Sequence, residues 1–267
     1  MVATLLERPN LRHNIDVMHT EKNFVDNILY TLMSVHGKSK DNIMSRLDIE
    51  QFCSRPHLHI DRKGKAPFPA YTLTKEAKTS LLECVKHAVK FPDGYSSDLA
   101  SCVDLINGKF SGMKSHDCHV FMERLLLFIF TKLLDRNVHL ALSGIGAFFR
   151  DLCSRTLQKN RIQILKHNIV LILCNLEKIF PPSFFDVMEH LPIHFPYEAE
   201  LGGPVQYRWT YPFEFFFKKL KGKAKNKRYA AGSIVESYIN DDIAYFSEHY
   251  FADDIQRKSR LTRFYEG

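Results

Sequence analysis

Two short segments combine histidine with acidic side chains at spacings that suit metal binding or proton transfer. In the first, Asp16, His19 and Asn23 lie three and four residues apart, so on a helix they share one face. A carboxylate and an imidazole on one face can hold a divalent cation or pass a proton. The alternative is structural: Asp16 orients His19, and the pair braces the helix. Spacing alone favours this alternative, because two ligands do not hold a metal by themselves.

The second segment is Ser115–His119, followed by Glu123. His119 and Glu123 form an i, i+4 pair that suggests a zinc site, and Cys118 beside a histidine suggests a thiol nucleophile. A helix start capped by Ser115, with Asp117 in its positive first turn, explains the same residues without any chemistry. The sequence leaves these interpretations open and favours the structural one.

A basic run near the carboxyl end places seven cations in eleven residues with no acid among them: Lys218, Lys219, Lys221, Lys223, Lys225, Lys227 and Arg228. Their number equals the formal net charge of +7, so the rest of the chain is nearly balanced. Concentrated positive charge beside aromatic residues such as Trp209 is typical of surfaces that hold phosphates and stack bases. The run also fits a nuclear-import signal or a solvated loop.

Other fingerprints of catalysis are missing from the sequence. Ser233 and Glu236 fit a capping box, S-x-x-E, which accounts for Glu236 without a catalytic role. The chain contains no GxGxxG, P-loop, HExxH or GxSxG pattern. We therefore expect no small-molecule substrate.

The composition is that of a globular protein: 267 residues, 45% hydrophobic and 25% charged, enough for a sizeable core. The longest apolar runs, Leu125–Phe130 and Ile169–Cys174, are far shorter than the roughly 18 residues that a membrane span needs. The start of the chain does not resemble a signal peptide. Six widely spaced cysteines without a CxxC pair indicate reduced thiols in an intracellular protein.

Apolar residues recur at helical spacing through most of the chain, which predicts a mainly α fold. The periodic segments predict helices over 11–36, 74–91, 97–106, 115–130, 138–157, 162–180 and 233–250. Residues 183–219, rich in proline and aromatic residues, are predicted to be irregular apart from one helix near 184–190. The predicted organisation is a helical region over 1–54, a linker over 55–72, a helical domain over 73–251 and a polar tail over 252–267.

Several segments resemble stretches of plant CACTA (En/Spm-type) transposases in the same order: Leu11–Asn23, Phe68–Glu76, Gly112–His119, Phe149–Cys153, Leu176–Asp186 and Leu201–Trp209. The first reads LRHNIDVMHTEKN here and is similar to LRHNLDVMHIEKN in that family. The likeness extends to about Tyr250. The part after about residue 112 resembles the uncharacterised helical domain towards the carboxyl end of those transposases.

The resemblance implies an RNase H-like catalytic core, in which carboxylates hold two divalent metals. Asp16 and His19 match the family's D-x-x-H element, which follows the second catalytic aspartate. The first two aspartates would precede Met1, so the resemblance implies a helical remnant of that core. Of two glutamates in the family's PEGSIAEGY pattern, Glu236 matches one, and Ala231 replaces the other. The catalytic candidates are therefore Asp16, His19 and Glu236, with no metal ligands and with Mg²⁺ or Mn²⁺ only in a complete core.

These observations predict a transposon-derived nuclear protein that lacks catalysis and contacts DNA non-specifically through the basic run. DNA and other transposase chains are the expected partners, with no membrane. One alternative is a helical protein–protein interaction module that does not bind DNA. The other is a part of a metal-dependent DNA transposase that a second chain completes.

Overall fold

The computed structural model describes residues 14–92, 98–248 and 250, and it divides into two compact units, Met1–Trp209 and Thr210–Gly267. Ten α-helices and one two-stranded hairpin make up the regular structure of the described part, which confirms the predicted mainly α fold. None of the helices in this part is both long enough and apolar enough to cross a membrane. The start of the first predicted helix and the tail 252–267 lie outside the described residues.

The first unit contains eight helices and the hairpin among its described residues: α1 Val17–Leu32, α2 Ile43–Phe52, α3 Lys75–Glu83, β1 Val103–Asp104, β2 Lys109–Phe110, α4 Ser115–Val120, α5 Arg136–Leu152, α6 Lys159–Ile179, α7 Val187–His190 and α8 Phe195–Gly202. Turns of π-helix extend α3 over Cys84–Ala88 and α4 over Phe121–Leu125. Strands β1 and β2 are antiparallel, with Val103 opposite Phe110. The predicted cap of α3 is confirmed, since the Thr74 hydroxyl accepts from the Ala77 N–H.

Helix α1 is the element around which the first unit packs. It is buried on most of its surface and lies against α4, while α5 packs on α6 and α6 on α8. The Phe24 ring meets the rings of Phe149 and Phe184 edge-on, each with centroids 6.2 Å apart. Such aromatic contacts add to the burial of apolar area that drives folding. They fix α1 between α5 and the segment that follows α6.

Polar contacts hold the beginning of α1 against the end of this unit. The Arg208 guanidinium donates to Asn14 Oδ1 at 2.7 Å, and the Ile15 N–H donates to Glu198 Oε2 at 3.3 Å. Arg208 and Glu198 also form an ion pair at 3.6 Å. Because these side chains are mostly buried, the pairing compensates for the loss of their hydration. The register of α1 is thereby set at its amino end.

Helix α7 confirms the predicted helix near 184–190, but the prediction that the rest of 183–219 is irregular is wrong, because α8 and α9 (Tyr211–Lys223) lie there. Pro196 and Pro212 stand in the first turns of α8 and α9, where the missing N–H of proline has no partner to lose. The sequence alone does not distinguish a proline in the first turn of a helix from a proline that ends one. Helix α8 ends at Gly203, whose φ of 81° suits glycine.

The predicted helix over 115–130 is also only partly correct. The N-cap of α4 is Lys114 rather than Ser115, and the Lys114 N–H donates to the Asp117 carboxylate at 2.8 Å. Beyond Leu125 the chain forms successive turns, in which Phe130 is buried and Phe128 is exposed. Gly146 of α5 packs so closely on this region that a Cβ there would stand 2.9 Å from the Met122 carbonyl oxygen. The close approach requires glycine.

The second unit is a helical hairpin of α9 and α10, Ala230–Glu248, joined by a short 3₁₀ turn at Lys227–Tyr229. Helix α10 confirms the predicted last helix, although it begins three residues before Ser233. The predicted capping box is therefore wrong. The Ser233 hydroxyl instead accepts from the N–H groups of Lys225 and Asn226, at 3.0 and 3.3 Å.

Residues 55–72, which are predicted to form a linker, also contribute side chains to the core. Leu58 and Tyr71 are buried in the core, and the buried Arg46 of α2 donates to the Leu58 carbonyl oxygen at 3.0 Å. The same guanidinium forms two bonds to the Asp41 carboxylate, at 2.6 and 2.7 Å. This buried arginine fixes the segment against α2. The boundaries at residues 54, 72 and 251 stay predictions.

Glu189 of α7 makes the stability of the first unit depend on pH. Its side chain is 1% exposed, accepts from Asn27 at 2.6 Å, and has a pKa that burial raises to about 7. The folded state then holds this proton more tightly than the unfolded state. The contribution of this proton to the free energy of unfolding is complete below about pH 4.5. It is lost as the pH rises to about 7, which lowers the free energy of unfolding by on the order of 3 kcal/mol.

Glu189→Gln removes this ionisation and keeps an oxygen that accepts from the Asp186 N–H, a bond of 3.1 Å in the parent protein. We expect the variant to gain in free energy of unfolding relative to the parent between pH 5 and 8, measured by urea denaturation. Glu50→Gln, at an exposed position of α2, is the control and should show no such gain. A constant difference between Glu189→Gln and the parent across this range would contradict the assignment.

Candidate functional site

Four potential metal ligands from three parts of the first unit meet in one buried place. Glu21 comes from the first half of α1, His119 from α4, Glu123 from the π-helical turn after it, and Cys153 caps the carboxyl end of α5. One ligand atom from each residue lies within 4.8 Å of those of the other three. We call this group the buried cluster.

The imidazole of His119 lies between the two carboxylates of the cluster. Its Nδ1 is 2.6 Å from Glu21 Oε2, and its Nε2 is 3.6 Å from Glu123 Oε1. The edge of the Trp209 ring packs against the imidazole, with centroids 5.3 Å apart. Glu21 is fully buried, and its second oxygen, Oε1, has no hydrogen-bond partner among the described residues. The cluster therefore contains an acceptor that the protein leaves unsatisfied.

Burial controls the ionisation of the cluster. It raises the pKa of the Glu21 carboxyl against the influence of His119, and it raises the pKa of Glu123 to about 7. Burial disfavours the charged imidazole, but the nearby Glu21 and Glu123 carboxylates raise the pKa of His119 overall. The pKa of the Cys153 thiol lies well above its usual value for the same reason of burial. The cluster thus retains protons that a bound cation would displace.

The sequence predicts only half of this cluster. The spacing of His119 and Glu123 suggests a pair, and the structure brings the two side chains together. Glu21 stands 98 residues from His119 in the chain, and Cys153 carries no local signal, so spacing could not reveal either. Cys118 lies buried beside the cluster, and burial raises the pKa of its thiol to about 12. A thiol that stays protonated does not support the nucleophile interpretation.

Asp16 and His19, the D-x-x-H candidates, are placed at the beginning of α1. The Asp16 carboxylate accepts from the backbone N–H of His19 at 3.1 Å and so caps the helix. The His19 side chain is exposed, and its carbonyl oxygen accepts from the Asn23 amide at 2.8 Å. Asp16 thus satisfies a donor at the helix end through the His19 backbone, a capping role that the structural interpretation does not specify.

Glu236 and the basic run belong to the second unit. Glu236 is exposed on α10. Lys223 forms an ion pair with Asp241 and lies over the Tyr238 ring, 3.6 Å from its centroid, so this cation is engaged within the hairpin. The other six cations of the run are exposed: Lys218, Lys219, Lys221, Lys225, Lys227 and Arg228. Trp209, expected near the run as a stacking surface, packs on the core of the first unit.

The capping role of Asp16 can be tested by stability. Asp16→Ala should lower the free energy of unfolding by about 1 kcal/mol, because it leaves a helix-end N–H without its acceptor. Asp16→Asn keeps an oxygen at that position and should be close to the parent protein. Chemical denaturation of both variants gives the comparison, with His19→Ala at the exposed neighbour as control. Equal losses for Asn and Ala would refute the cap.

Comparison with known proteins found a family model that matches part of the chain. Residues 152–265, less than half of the chain, match the family model of a domain of unknown function, DUF4218. No curated protein and no solved structure matches the chain. The matched residues include helices α6 to α10 and the whole basic run, whereas Glu21, His119 and Glu123 precede them.

Proposed function

We propose that this protein is a transposase-derived, DNA-contacting protein that holds DNA phosphates with the exposed cations of the basic run. The observation that carries the proposal is the exposure of these cations along the last turns of α9 and in the turn that follows it. Six of them are exposed, while the seventh, Lys223, holds the hairpin together. Within the basic run, the residue that stabilises the hairpin is thus distinct from the residues that we propose contact DNA.

The backbone of the turn is fixed by hydrogen bonds within the hairpin. Ser233 accepts from two consecutive backbone N–H groups, and the Asn226 side chain accepts from the Arg228 N–H at 3.0 Å. Lys225, Lys227 and Arg228 therefore extend from an ordered turn rather than from a free loop. A fixed backbone lowers the conformational entropy lost when the side chains meet phosphates.

The remaining exposed cations continue this surface along α9. Lys218 and Lys221 are three residues apart and share a face of the helix, and Lys219 is exposed beside them. Their charges also complement the negative carboxyl end of α9, which is the purely structural role of such residues. A helix end needs few charges for that purpose. Six exposed cations without an acid in the run favour an anionic polymer as partner.

The transposase origin rests on two supports. The resemblance to CACTA-type transposases extends over most of the chain, and the DUF4218 match, a domain found in plant transposase-like proteins, covers the region after residue 152. We propose that the chain does not cleave DNA by itself, because Asp16 serves as a helix cap and Glu236 belongs to no group of three or more potential metal ligands among the described residues. A nuclear location follows from the same run acting as an import signal.

The proposal is tested by fluorescence anisotropy of a labelled DNA duplex at several salt concentrations. If all six exposed cations contact phosphates, the slope of log K against log salt should reach about −5. Changing Lys225, Lys227 and Arg228 together to Gln should make the slope shallower by about 2 to 3. The matched control changes Arg62, Lys63 and Lys65, three exposed cations of the first unit, to Gln and should keep the parent slope.

A slope that is flat, or that both triple variants change equally, would refute contact through the basic run. The same preparations, incubated with supercoiled plasmid and Mg²⁺ or Mn²⁺, should leave the plasmid uncut. Metal-dependent nicking that Glu236→Gln abolishes would instead support the active-transposase alternative. The plasmid assay and the anisotropy therefore separate binding from cleavage.

A second candidate function is a helical interaction module, which one observation favours. The hairpin leaves large apolar side chains exposed on both helices, among them Phe213 and Phe217 on α9 and Ile239 and Ile243 on α10. Exposed apolar clusters of this kind often mark contacts between proteins. Sedimentation equilibrium would show self-association through this surface, and the uncharged changes Ile239→Gln with Ile243→Gln should abolish it while leaving the DNA slope unchanged.

A further inference from the structure

The buried cluster has the composition of a structural metal site. We propose that Glu21, His119, Glu123 and Cys153 bind one zinc ion that joins α1, the α4 segment and the end of α5. The sequence predicts no metal ligands, and the proposal departs from that prediction. It is independent of DNA binding, which rests on the second unit alone.

The separations in the cluster are close to those of a bound ion. Zinc lies about 2.0–2.3 Å from nitrogen, oxygen and sulfur ligands, so tetrahedral ligands stand roughly 3.3–3.8 Å from one another. The four ligand atoms are already within 4.8 Å of each other, and the pair His119 Nε2 and Glu123 Oε1 is at 3.6 Å. The four atoms must therefore move closer together to complete a tetrahedral site.

The unsatisfied oxygen of Glu21 is a second, independent observation. Among the residues that the structure describes, its Oε1 has no hydrogen-bond partner, although the side chain is fully buried. Buried carboxylate oxygens are normally paired, because water no longer solvates them. The Glu21–His119 contact satisfies only the other oxygen, at 2.6 Å. A cation in the cluster gives Oε1 a partner.

A hydrogen-bonded pair of His119 and Glu21 is the alternative that involves no metal. It explains the orientation of the imidazole, but it gives no reason for a second carboxylate and a thiol to converge on the same point. Once their protons are lost, two buried carboxylates around one imidazole carry more negative charge than the imidazole can compensate. A divalent ion balances that charge directly.

The ligand types select zinc among the common divalent ions. Calcium and magnesium prefer oxygen ligands, and magnesium retains several waters, for which a buried cluster gives little room. One imidazole, one thiolate and two carboxylates form a mixed set of nitrogen, sulfur and oxygen that suits zinc. Four protein ligands leave no open coordination position, so the ion would be structural rather than catalytic.

Trp209 makes the site observable in solution. It is the single tryptophan of the chain, and its ring packs against the His119 imidazole. Cobalt(II), a spectroscopic substitute for zinc, should quench Trp209 fluorescence and saturate at one ion per chain. A sulfur-to-cobalt charge-transfer band should grow in parallel, because Cys153 is a ligand. The titration uses the full chain after its metals have been removed with a chelator.

Matched variants assign the ligands. His119→Gln should weaken cobalt binding at least about 100-fold, since loss of even an outer partner costs 10–100-fold. Cys153→Ala should lose the sulfur band. The exposed pair His190 and His194, with Nε2 atoms 3.1 Å apart, is the competing surface site, and Cys174 is an exposed thiol. His194→Gln and Cys174→Ala are therefore the controls and should retain both signals.

X-ray absorption of the zinc-loaded parent protein needs no variant and keeps the test valid if the substitutions prevent folding. It should show one sulfur at about 2.3 Å and nitrogen or oxygen ligands at about 2.0–2.2 Å. The absence of saturable binding, a spectrum without sulfur, or binding that His194→Gln removes would overturn the proposal.

Discussion

The burial of charge beside α1 is the constraint on which the first unit depends. Glu21 is fully buried on α1, a helix with most of its residues buried, where water cannot solvate its carboxylate. Its pairing with His119 fixes the position of α4 against α1. That position brings Glu123, on the turn after α4, close to Cys153. Gly146 lets α5 approach the Met122 carbonyl, which brings the end of α5 to the same point. A small error in any of these contacts would leave a buried charge without compensation, so the geometry is narrowly determined.

The second unit deals with charge in the opposite way. Six cations of its basic run are exposed to water, and the seventh, Lys223, contacts Asp241 and Tyr238 within the hairpin. Interactions between exposed charges are weak and screened by salt, so the remaining cations add little to folding. They stay available for a polyanion. Ionisable residues therefore have different roles in the two units. In the first unit they specify how the helices pack, and in the second unit they form a charged surface.

The sequence predicts features that depend on neighbouring residues, and it does not predict contacts between residues that are far apart in the chain. Period and caps predict α3 from Thr74 and the end of α6 before Pro181-Pro182, because both depend on neighbours in the chain. Pro196 and Pro212 mislead, since a proline in the first turn of a helix and one that ends it have the same letter. The pair of His119 and Glu123 follows from helical spacing. No spacing rule links Glu21 to His119, because only the packing of α1 on α4 brings them together.

Three of the six segments that resemble transposases meet at the buried cluster. Glu21 lies in the first of them, His119 ends the third, and Cys153 ends the fourth, so three of the four cluster residues come from stretches that are far apart in the sequence. The D-x-x-H pair of the first stretch, by contrast, is used in capping α1. The contact that unites these stretches in space is thus a joint between helices. Buried ionisable groups must be paired wherever helices pack together, because water no longer solvates them. The packing of the helices therefore explains why these stretches converge, and no cleavage site is required.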